Sequence, residues 1–302
     1  FTDESVQKER GIIGQEIKMY EDSADSAVME NLFRIMYQNH PVRNNIAGTV
    51  ESIEEITADT LKLCHDAFYD PSNLIICVIG DVDAASIIEQ ARKLTPAGKK
   101  PQFERCCGAP EPEKVPVRTI EKQMEIAMPA FAIGFRCPDA GRGADAMRMD
   151  LIGEMAGEML VGESSKLYQK LYDENVIDAD FSVDYERMKG MALLELSGDS
   201  EDPRRILREV LAEAARVLKT GVDRALLARL KKSVTGRRLR ELDGFEGTCY
   251  RMCAYYFDGA EYFDYPEIYA SVTAEDVEQF IRENVKEEQA FLSVITPKRE
   301  EE

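Results

Sequence analysis

Two glutamates near the start of the chain, Glu9 and Glu16, have a residue type and spacing that could do chemistry. They lie in the stretch ERGIIGQEIKMYED over residues 9–22. On a helix they share one face with Ile12 and Ile13, because positions i, i+3, i+4 and i+7 align. A carboxylate within an apolar, core-facing stripe is costly unless it is ion-paired, hydrogen-bonded or bound to a metal.

The spacing of the two glutamates leaves several explanations open. Seven residues correspond to about two helical turns, roughly 10 Å, which is too far for the pair to chelate one ion without other ligands. In the simplest interpretation, the ends of the stripe emerge into solvent, or Arg or Lys side chains from elsewhere pair with the carboxylates. The alternative is a metal site to which other residues contribute.

Hydrophobic periodicity predicts the elements that must position these glutamates. We expect helices over residues 4–21, 24–38, 57–69, 83–94, 143–161, 165–174, 202–220, from about 222, and 273–284. We expect strands over residues 73–82, 118–127, 129–136, 178–187, 190–199 and 289–297. The run NLIICVIGDV at 73–82 is almost wholly apolar, which is typical of a strand buried on both faces. Gly153 and Gly157, one helical turn apart, indicate close packing of their helix.

The arrangement of these elements predicts an α+β protein of two layered α/β domains, with helices packed on mixed, largely antiparallel sheets. Residues 96–117 are rich in proline and charge, so they are the best candidate for a linker between residues 1–95 and 118–302. The chain opens at Phe1 with no initiator Met, and we therefore expect further residues upstream.

The composition excludes some classes of partner. The 302 residues carry a formal net charge of −19, which argues against nucleic-acid and anionic-membrane binding. That charge is compatible with attraction of cationic peptides, although solubility alone explains it more simply. The longest apolar run is too short to cross a bilayer. The seven cysteines are odd in number and irregularly spaced, which favours reduced thiols in the cytoplasm over a disulfide framework.

Several stretches resemble one family. The run at 9–22 looks like the downstream metal helix of the pitrilysin/insulinase-type zinc metallopeptidases, the inverzincins, in their bacterial single-half form. HPVRNNIAGTVESI at 40–53, FYDPSNLIICVIGDVD at 68–83 and GESSKLYQKLYDENVI at 162–177 are similar to further segments of that family. In the last of these, Lys170-Leu171-Tyr172 stands where the family usually has Leu-Arg.

The resemblance implies a role for each glutamate. Glu16 would be the third zinc ligand and Glu9 a supporting carboxylate of a zinc-dependent metalloendopeptidase that hydrolyses peptides. Residues 1–95 would be the C-terminal part of the first, metal-bearing domain, which is then incomplete, and residues 118–302 the second, non-catalytic domain. Two such halves enclose a chamber in this family, so a homodimer or a homologous second half is the expected partner.

The chain departs from the family at its histidines. It contains only His40 and His65, and no H-x-x-E-H motif. Two zinc ligands and the glutamate that activates water are thus missing. We expect this chain alone to hold no zinc and to be inactive, with Glu16 pointing into an open pocket. We expect His40 to hydrogen-bond to backbone and His65 to lie on a helix at the surface or the core edge.

Two other functional classes remain open. The protein could be a non-catalytic homologue that binds peptide or a sister subunit, or a generic α/β interaction domain. The basic run at 229–244 is more typical of a solvated helix face than of a nucleic-acid patch, because no aromatic residues interleave it. The aromatic residues between Tyr250 and Tyr269 predict core or interface, with a peptide-binding wall as the alternative. Cys106, Cys107 and the run 229–240 have no assigned role.

Overall fold

The first part of the chain is helical. In a computed structural model of the protein, the residues described are 1–96, 98, 106–112 and 115–298. Up to residue 96 the helices are α1 (Asp3–Glu21), α2 (Ala24–Met36), α3 (Val50–Glu54), α4 (Ala58–Phe68) and α5 (Ala84–Leu94). Each begins after a Ser, Thr or Asp whose side chain accepts a hydrogen bond from a backbone N–H of the first turn.

The second part combines strands with helices. Its strands are β1 (Thr119–Met124), β2 (Ala130–Cys137), β3 (Ser182–Met188), β4 (Met191–Asp199) and β5 (Ala290–Pro297). Its helices are α6 (Ala144–Val161), α7 (Lys166–Asp173), α8 (Pro203–Thr220), α9 (Arg224–Glu241), α10 (Phe245–Asp258), α11 (Tyr265–Ser271) and α12 (Ala274–Asn284). Asp202 caps α8, Pro203 opens it and Gly221 follows it with a positive φ of 84°, as the sequence signals predicted.

These strands form one mixed sheet in the order β1-β5-β2-β4-β3. β1 runs parallel to β5, and the other neighbouring pairs are antiparallel. Phe135 of β2 lies opposite Leu194 of β4, which sets the register of the central pair. β2 is buried on both faces apart from Arg136 near its end, so the sheet must be covered on both sides.

Helices cover both faces of the sheet. Phe131, Ile133 and Phe135 point into the larger core, which also contains residues of α6, α8, α9 and α12. On the opposite face, Leu32 and Met36 of α2 pack on the sheet with residues of β2, β4 and β5. The fold is therefore three-layered around the sheet, and a helix from the first part of the chain supplies the second covering layer.

Gly153 and Gly157 allow α6 to pack closely, as predicted. A Cβ at position 153 would lie 2.3 Å from Cγ of Tyr185, and one at position 157 would lie 2.8 Å from Cγ2 of Val183. Both partners belong to β3. The two glycines thus bring the helix backbone against the sheet, where a larger residue would collide with it.

The predicted α+β class is confirmed, and so are the predicted helices and all but one of the predicted strands. The strand expected at 73–82 is wrong. Residues 74–79 belong to no helix or strand, although Leu74 has extended dihedral angles (φ −115°, ψ 150°). The five paired strands all lie between residues 119 and 297, so the described residues offer this apolar run no neighbour to pair with. A strand buried on both faces needs pairing and two covering layers, and the run has neither.

Three helices were not predicted: α3, α10 and α11. The long helix expected from about residue 222 is α9, which ends at Glu241. The separate helices α10 and α11 follow it. Within the described part of the chain, none of the helices is both long and apolar enough to cross a membrane. The predicted linker at 96–117 falls partly on residues outside the described ranges.

Candidate functional site

Helix α1 carries the two glutamates and is anchored by one face. Thr2 and Ser5 form a capping box at its start. Val6 and Ile17 are buried, and the Arg10 guanidinium donates a hydrogen bond to the carbonyl oxygen of Ile56. These residues recur at helical spacing, so they hold one side of α1 against the following helices.

The face of α1 that bears Glu9 and Glu16 is the exposed one. Both glutamates are exposed, and so are Ile12 and Ile13, at 50% and 37% of their surface. The sequence pattern suggested that this stripe faces the core, but the core-facing residues lie on the other side of the helix. In this chain the stripe is therefore exposed to solvent along its whole length, and not only at its ends.

Tyr20 orients the Glu16 carboxylate. Its hydroxyl Oη donates a hydrogen bond of 3.2 Å to Oε1 of Glu16 from one turn further along α1. A carboxylate has about four lone-pair sites, so this bond leaves acceptor capacity free. Glu16 is thus a solvent-accessible carboxylate on an open helix surface.

Both histidines make other contacts in the structure. His40 is 5% exposed, its Nδ1 accepts from the backbone N–H of Val42 at 3.1 Å, and its Nε2 lies 2.9 Å from the carbonyl oxygen of Lys189. Because a carbonyl only accepts, Nε2 carries the proton, and both nitrogens are used. His65 is exposed and stacks on Tyr69 at a centroid distance of 5.1 Å. Backbone bonding by His40 and a surface position for His65 are as predicted.

The donor set does not fit a zinc site by itself. A zinc centre in a protein needs at least three side-chain ligands. Over residues 1–96, 98, 106–112 and 115–298, no group of three or more His, Cys, Asp or Glu side chains could hold a metal ion. The described residues therefore offer Glu16 as a candidate carboxylate ligand, with Glu9 two turns away, but no group of three ligands around it.

Glu111, in the predicted linker, fixes the loop that contains His40. Its carboxylate accepts hydrogen bonds from the backbone N–H groups of Gln38, Asn39 and His40 at 2.6, 2.8 and 2.7 Å. Burial acts to raise the pKa of Glu111, but these donors and Arg136 outweigh it and hold that pKa below its usual range. No sequence signal identified this contact, because a nest of backbone donors is visible only in the folded chain.

A second group of residues missed by the sequence forms an ion-pair network beside the β3 edge. Nε of Arg187 lies 2.6 Å from Asp150, and its Nη2 lies 2.7 Å from Asp258. The two carboxylates together hold the pKa of Arg187 above its usual value against the effect of burial. The network lines a cavity of about 840 Å³. The two carboxylates share one guanidinium, so the network ties α6 and α10 to β3.

Much of the basic run at 229–244 is engaged within the protein. Arg237 and Arg238 both pair with Glu154 of α6, and Lys231 Nζ donates to the carbonyl oxygens of Ala270 and Val272. The positive charges of these three residues therefore hold α9 against its neighbours rather than forming a free basic surface.

All seven cysteines are free thiols. Cys249 and Cys253 lie one turn apart on α10, as their spacing indicated. A hydrogen bond with Cys249, together with burial and Cys253, raises the pKa of Cys77 to about 11. The apolar run at 74–79 thus lies close to α10.

Comparison with known proteins places this architecture in a family. The sequence profile of the Peptidase M16 inactive domain matches residues 55–234. The zinc protease YmfH of Bacillus subtilis is 33% identical over 307 aligned residues, which cover 99% of this chain and 70% of YmfH. The zinc protease PqqE of Helicobacter pylori is 24% identical over 231 residues, covering 74% of this chain and 51% of PqqE.

Solved structures agree with the sequence matches. The crystal structure of an M16-like peptidase from Alicyclobacillus acidocaldarius is 30% identical and superposes with a TM-score of 0.92, covering 99% of this chain and 72% of that one. A protease from Helicobacter pylori has the same fold at 18% identity, with a TM-score of 0.84 over 98% of this chain and 73% of that one. The chain belongs to the M16 peptidase family, the pitrilysin/insulinase-type zinc metallopeptidases.

Proposed function

We propose that this chain is the part of an M16 zinc metalloendopeptidase that supplies the third metal ligand, Glu16, together with the second domain. The observation that carries the proposal is the open face of α1. Glu16 is accessible there and oriented by Tyr20, whereas an exposed helix face has no structural need for an apolar stripe interrupted by two carboxylates. Zinc would supply Lewis-acid activation of water when bound; Glu9 would act as a supporting carboxylate nearby.

The remaining parts of the chain then have the following roles. Residues 1–95 are the C-terminal part of the metal-bearing domain, 96–117 the linker, and 118–302 the non-catalytic domain. Under this proposal, residues beyond these 302 would supply the missing imidazole ligands and the general base. The part of YmfH that aligns with this chain is 70% of its length. The substrate is a peptide, the partner is a second copy or a homologous half, and the free cysteines favour the cytoplasm.

The test compares variants of the complete gene product for zinc content and for cleavage of a fluorogenic peptide. Glu16→Gln removes the charged ligand and is expected to abolish both zinc binding and cleavage. Glu9→Gln is expected to keep zinc and lose most of the cleavage rate. Glu21→Gln changes an exposed glutamate of the same helix and is the matched control, which keeps both. Retained zinc and unchanged cleavage in Glu16→Gln would overturn the ligand assignment.

A second candidate function is a non-catalytic M16 relative that serves as a partner half and binds peptide or a sister subunit. It is favoured by one observation: no three-donor group exists in the described part of the chain. The same experiment separates the two. A complete gene product that binds no zinc with Glu16 intact, yet associates with an M16 partner, would select this second function.

A further inference from the structure

The apolar run at 74–79 has two different sides. Its even-numbered residues are exposed, whereas its odd-numbered residues are half-buried. A period of two is that of an extended chain with one covered side. Cys77 lies in the middle of the covered side.

Helix α10 covers that side. The Cys77 thiol shares hydrogen bonds with the thiols of Cys249 and Cys253, which lie one turn apart on α10. All three are free, half-buried cysteines. We call them the thiol cluster. The proposed function gives the thiol cluster no role.

A repeat within the chain relates α10 to α2. The helices α1 and α2 begin at residues 3 and 24, and α9 and α10 begin at residues 224 and 245. The two helix pairs therefore have the same spacing, and α10 stands in its pair where α2 stands in the first pair.

The same repeat relates the run at 74–79 to β5. The helices α4 and α12 have 11 residues each and begin after a capping threonine, Thr57 and Thr273 respectively. Each is followed by a short 3-10 turn, at Pro71–Asn73 and at Glu287–Gln289. The run begins directly after the first turn and β5 directly after the second, so the run occupies the position of β5.

The contact between α10 and the run repeats the contact between α2 and β5. Val28 and Leu32, the fifth and ninth residues of α2, pack on the sheet face that includes Phe291 and Ile295 of β5. Ser293, the fourth residue of β5, lies between these two on the same face and is fully buried. The corresponding residues of α10 and the run are Cys249, Cys253 and Cys77. The repeat therefore places the three thiols together independently of their hydrogen bonds.

Three converging thiols in a chain whose cysteines are all free suit a reversible bond. We propose that Cys77 is a redox-modification site, which forms a disulfide bond with Cys249 when the protein meets a hydroperoxide such as hydrogen peroxide. The bond ties the first part of the chain to α10 covalently. It needs neither zinc nor a peptide substrate, so this inference goes beyond the proposed function.

The reaction balances with one hydrogen peroxide. Its O–O bond breaks as one thiol becomes a sulfenic acid, and one water leaves. The other thiol attacks that sulfur, the S–O bond breaks, the S–S bond forms and a second water leaves. The two thiols thus lose two electrons and two protons to the peroxide. Because the hydrogen bond with Cys249 and burial raise the pKa of Cys77 to about 11, Cys249 is oxidised first and Cys77 closes the bond.

The test treats the complete gene product with hydrogen peroxide, alkylates the remaining thiols and maps disulfides by mass spectrometry after tryptic digestion. Trypsin cleaves at Arg251 and so separates Cys249 from Cys253. A Cys64→Ser background leaves Cys77 as the only cysteine of its tryptic peptide, residues 63–92. We expect that peptide to be linked to the peptide of residues 241–251, and dithiothreitol to separate the two.

The bond also has a physical readout. A disulfide that closes a long loop constrains the unfolded chain. Oxidation is therefore expected to raise the midpoint of thermal unfolding by about 5 °C. Treatment with peroxide in concentrated urea is expected to lower the yield of linked peptides several-fold, because Cys77 and Cys249 are far apart in the unfolded chain.

Three variants in the same background locate the bond. Cys77→Ser and Cys249→Ser each replace a half-buried thiol by a smaller hydroxyl, and both are expected to lose the linked peptides and the rise in midpoint. Cys106→Ser changes an exposed cysteine and is the matched control, which keeps both. Thermal unfolding of the reduced proteins verifies that each variant is folded.

Several outcomes would overturn the proposal. One is a bond between Cys249 and Cys253 within α10, and another is oxidation of the thiols to sulfinic acids with no linked peptides. A link from Cys77 to Cys253 alone would overturn the assignment of Cys249. An equal yield of linked peptides in urea would show that the folded contact does not direct the reaction.

Discussion

Most apolar side chains of the second region, residues 115–298, are gathered around a sheet, whereas in the first region, residues 1–96, none of those described after residue 54 is buried. In the second region Phe131, Ile133 and Phe135 are fully covered. In the first region Leu63 and Ile76 are 71% and 65% exposed. Both regions carry comparable apolar patterns, so the difference lies in the availability of a covering layer.

Helix α2 explains what the first region lacks. It belongs to that region by sequence, yet Leu32 and Met36 are fully buried because they pack on the sheet. Helix α1 is one connection away and buries only Val6 and Ile17. Burial removes surface from water only when another surface takes its place. Apolar residues that pack on the sheet therefore stabilise this fold, whereas the exposed apolar residues of the first region remain free to contact another surface.

The largest expected effect tests this separation directly. Phe135→Ala removes a fully buried ring between β2 and the larger core, and we expect it to lower the free energy of unfolding by about 3–5 kcal/mol. Ile76→Ala truncates an apolar side chain of the exposed run, and we expect a change within about 0.5 kcal/mol. Urea denaturation followed by circular dichroism measures both. Similar losses in the two variants would show that the run at 74–79 is covered in solution.

The sequence was informative about the fold where the signal is local. Apolar periodicity and capping residues such as Thr57, Asp83 and Asp202 act within a few residues, so helix positions follow from them. The run at 73–82 has the composition of a buried strand, but pairing depends on a neighbour that local pattern does not reveal. Helices α10 and α11 were missed because aromatic density indicates burial without specifying secondary structure.

The candidate site could be predicted in part. Spacing and resemblance identified Glu9 and Glu16 as neighbours on one helix face, and the structure shows that face to be exposed. The contacts of Glu111 and the ion pairs of Arg187 were not predicted. Each depends on groups that are distant along the chain, backbone N–H donors at 38–40 in one case and two aspartates in the other. Such contacts have no signature in residue order.

A glycine in the second region provides the next test. A Cβ at position 153 would meet the Tyr185 ring at 2.3 Å, and that ring is packed edge-on against Phe280 with centroids 5.6 Å apart. We expect Gly153→Ala to destabilise the protein by about 1–3 kcal/mol, because overpacking outweighs the gain in helix propensity. Denaturant unfolding measures the loss. An unchanged midpoint would mean that α6 does not approach β3 as closely as the structure shows.

Glu111 connects the regions, and its contribution depends on pH. We expect Glu111→Gln to cost about 1–2 kcal/mol at pH 7, since a carboxylate that accepts three backbone hydrogen bonds is replaced by an amide. The folded-state pKa of Glu111 is depressed. Its stabilisation is therefore present above the unfolded-state pKa of about 4.3 and is lost as pH falls through the folded value. Unfolding of wild type and variant at pH 7 and pH 3 tests this.

A control variant shows whether replacing any glutamate by glutamine changes the stability at these two pH values. Glu55→Gln changes an exposed glutamate at the end of α3, so we expect no measurable difference at either pH. The difference in unfolding free energy between wild type and Glu111→Gln is expected to be smaller at pH 3 than at pH 7. The same difference at both pH values would contradict the assigned hydrogen bonds, because a protonated carboxyl group cannot support them in the same way.

The smallest expected effect has the opposite sign and applies to the first region. Gly11 lies within α1 on its exposed side, and a Cβ there would meet nothing within 4 Å. Gly11→Ala should therefore stabilise this chain by about 0.5–1 kcal/mol through helix propensity alone. Thermal unfolding of this chain and of the complete gene product, each with and without the substitution, measures it. Stabilisation of the chain combined with destabilisation of the complete protein would mean that the Glu9–Glu16 side of α1 is covered there, as a metal-ligand helix requires. Destabilisation of the chain itself would contradict the exposure on which the comparison of the two regions depends.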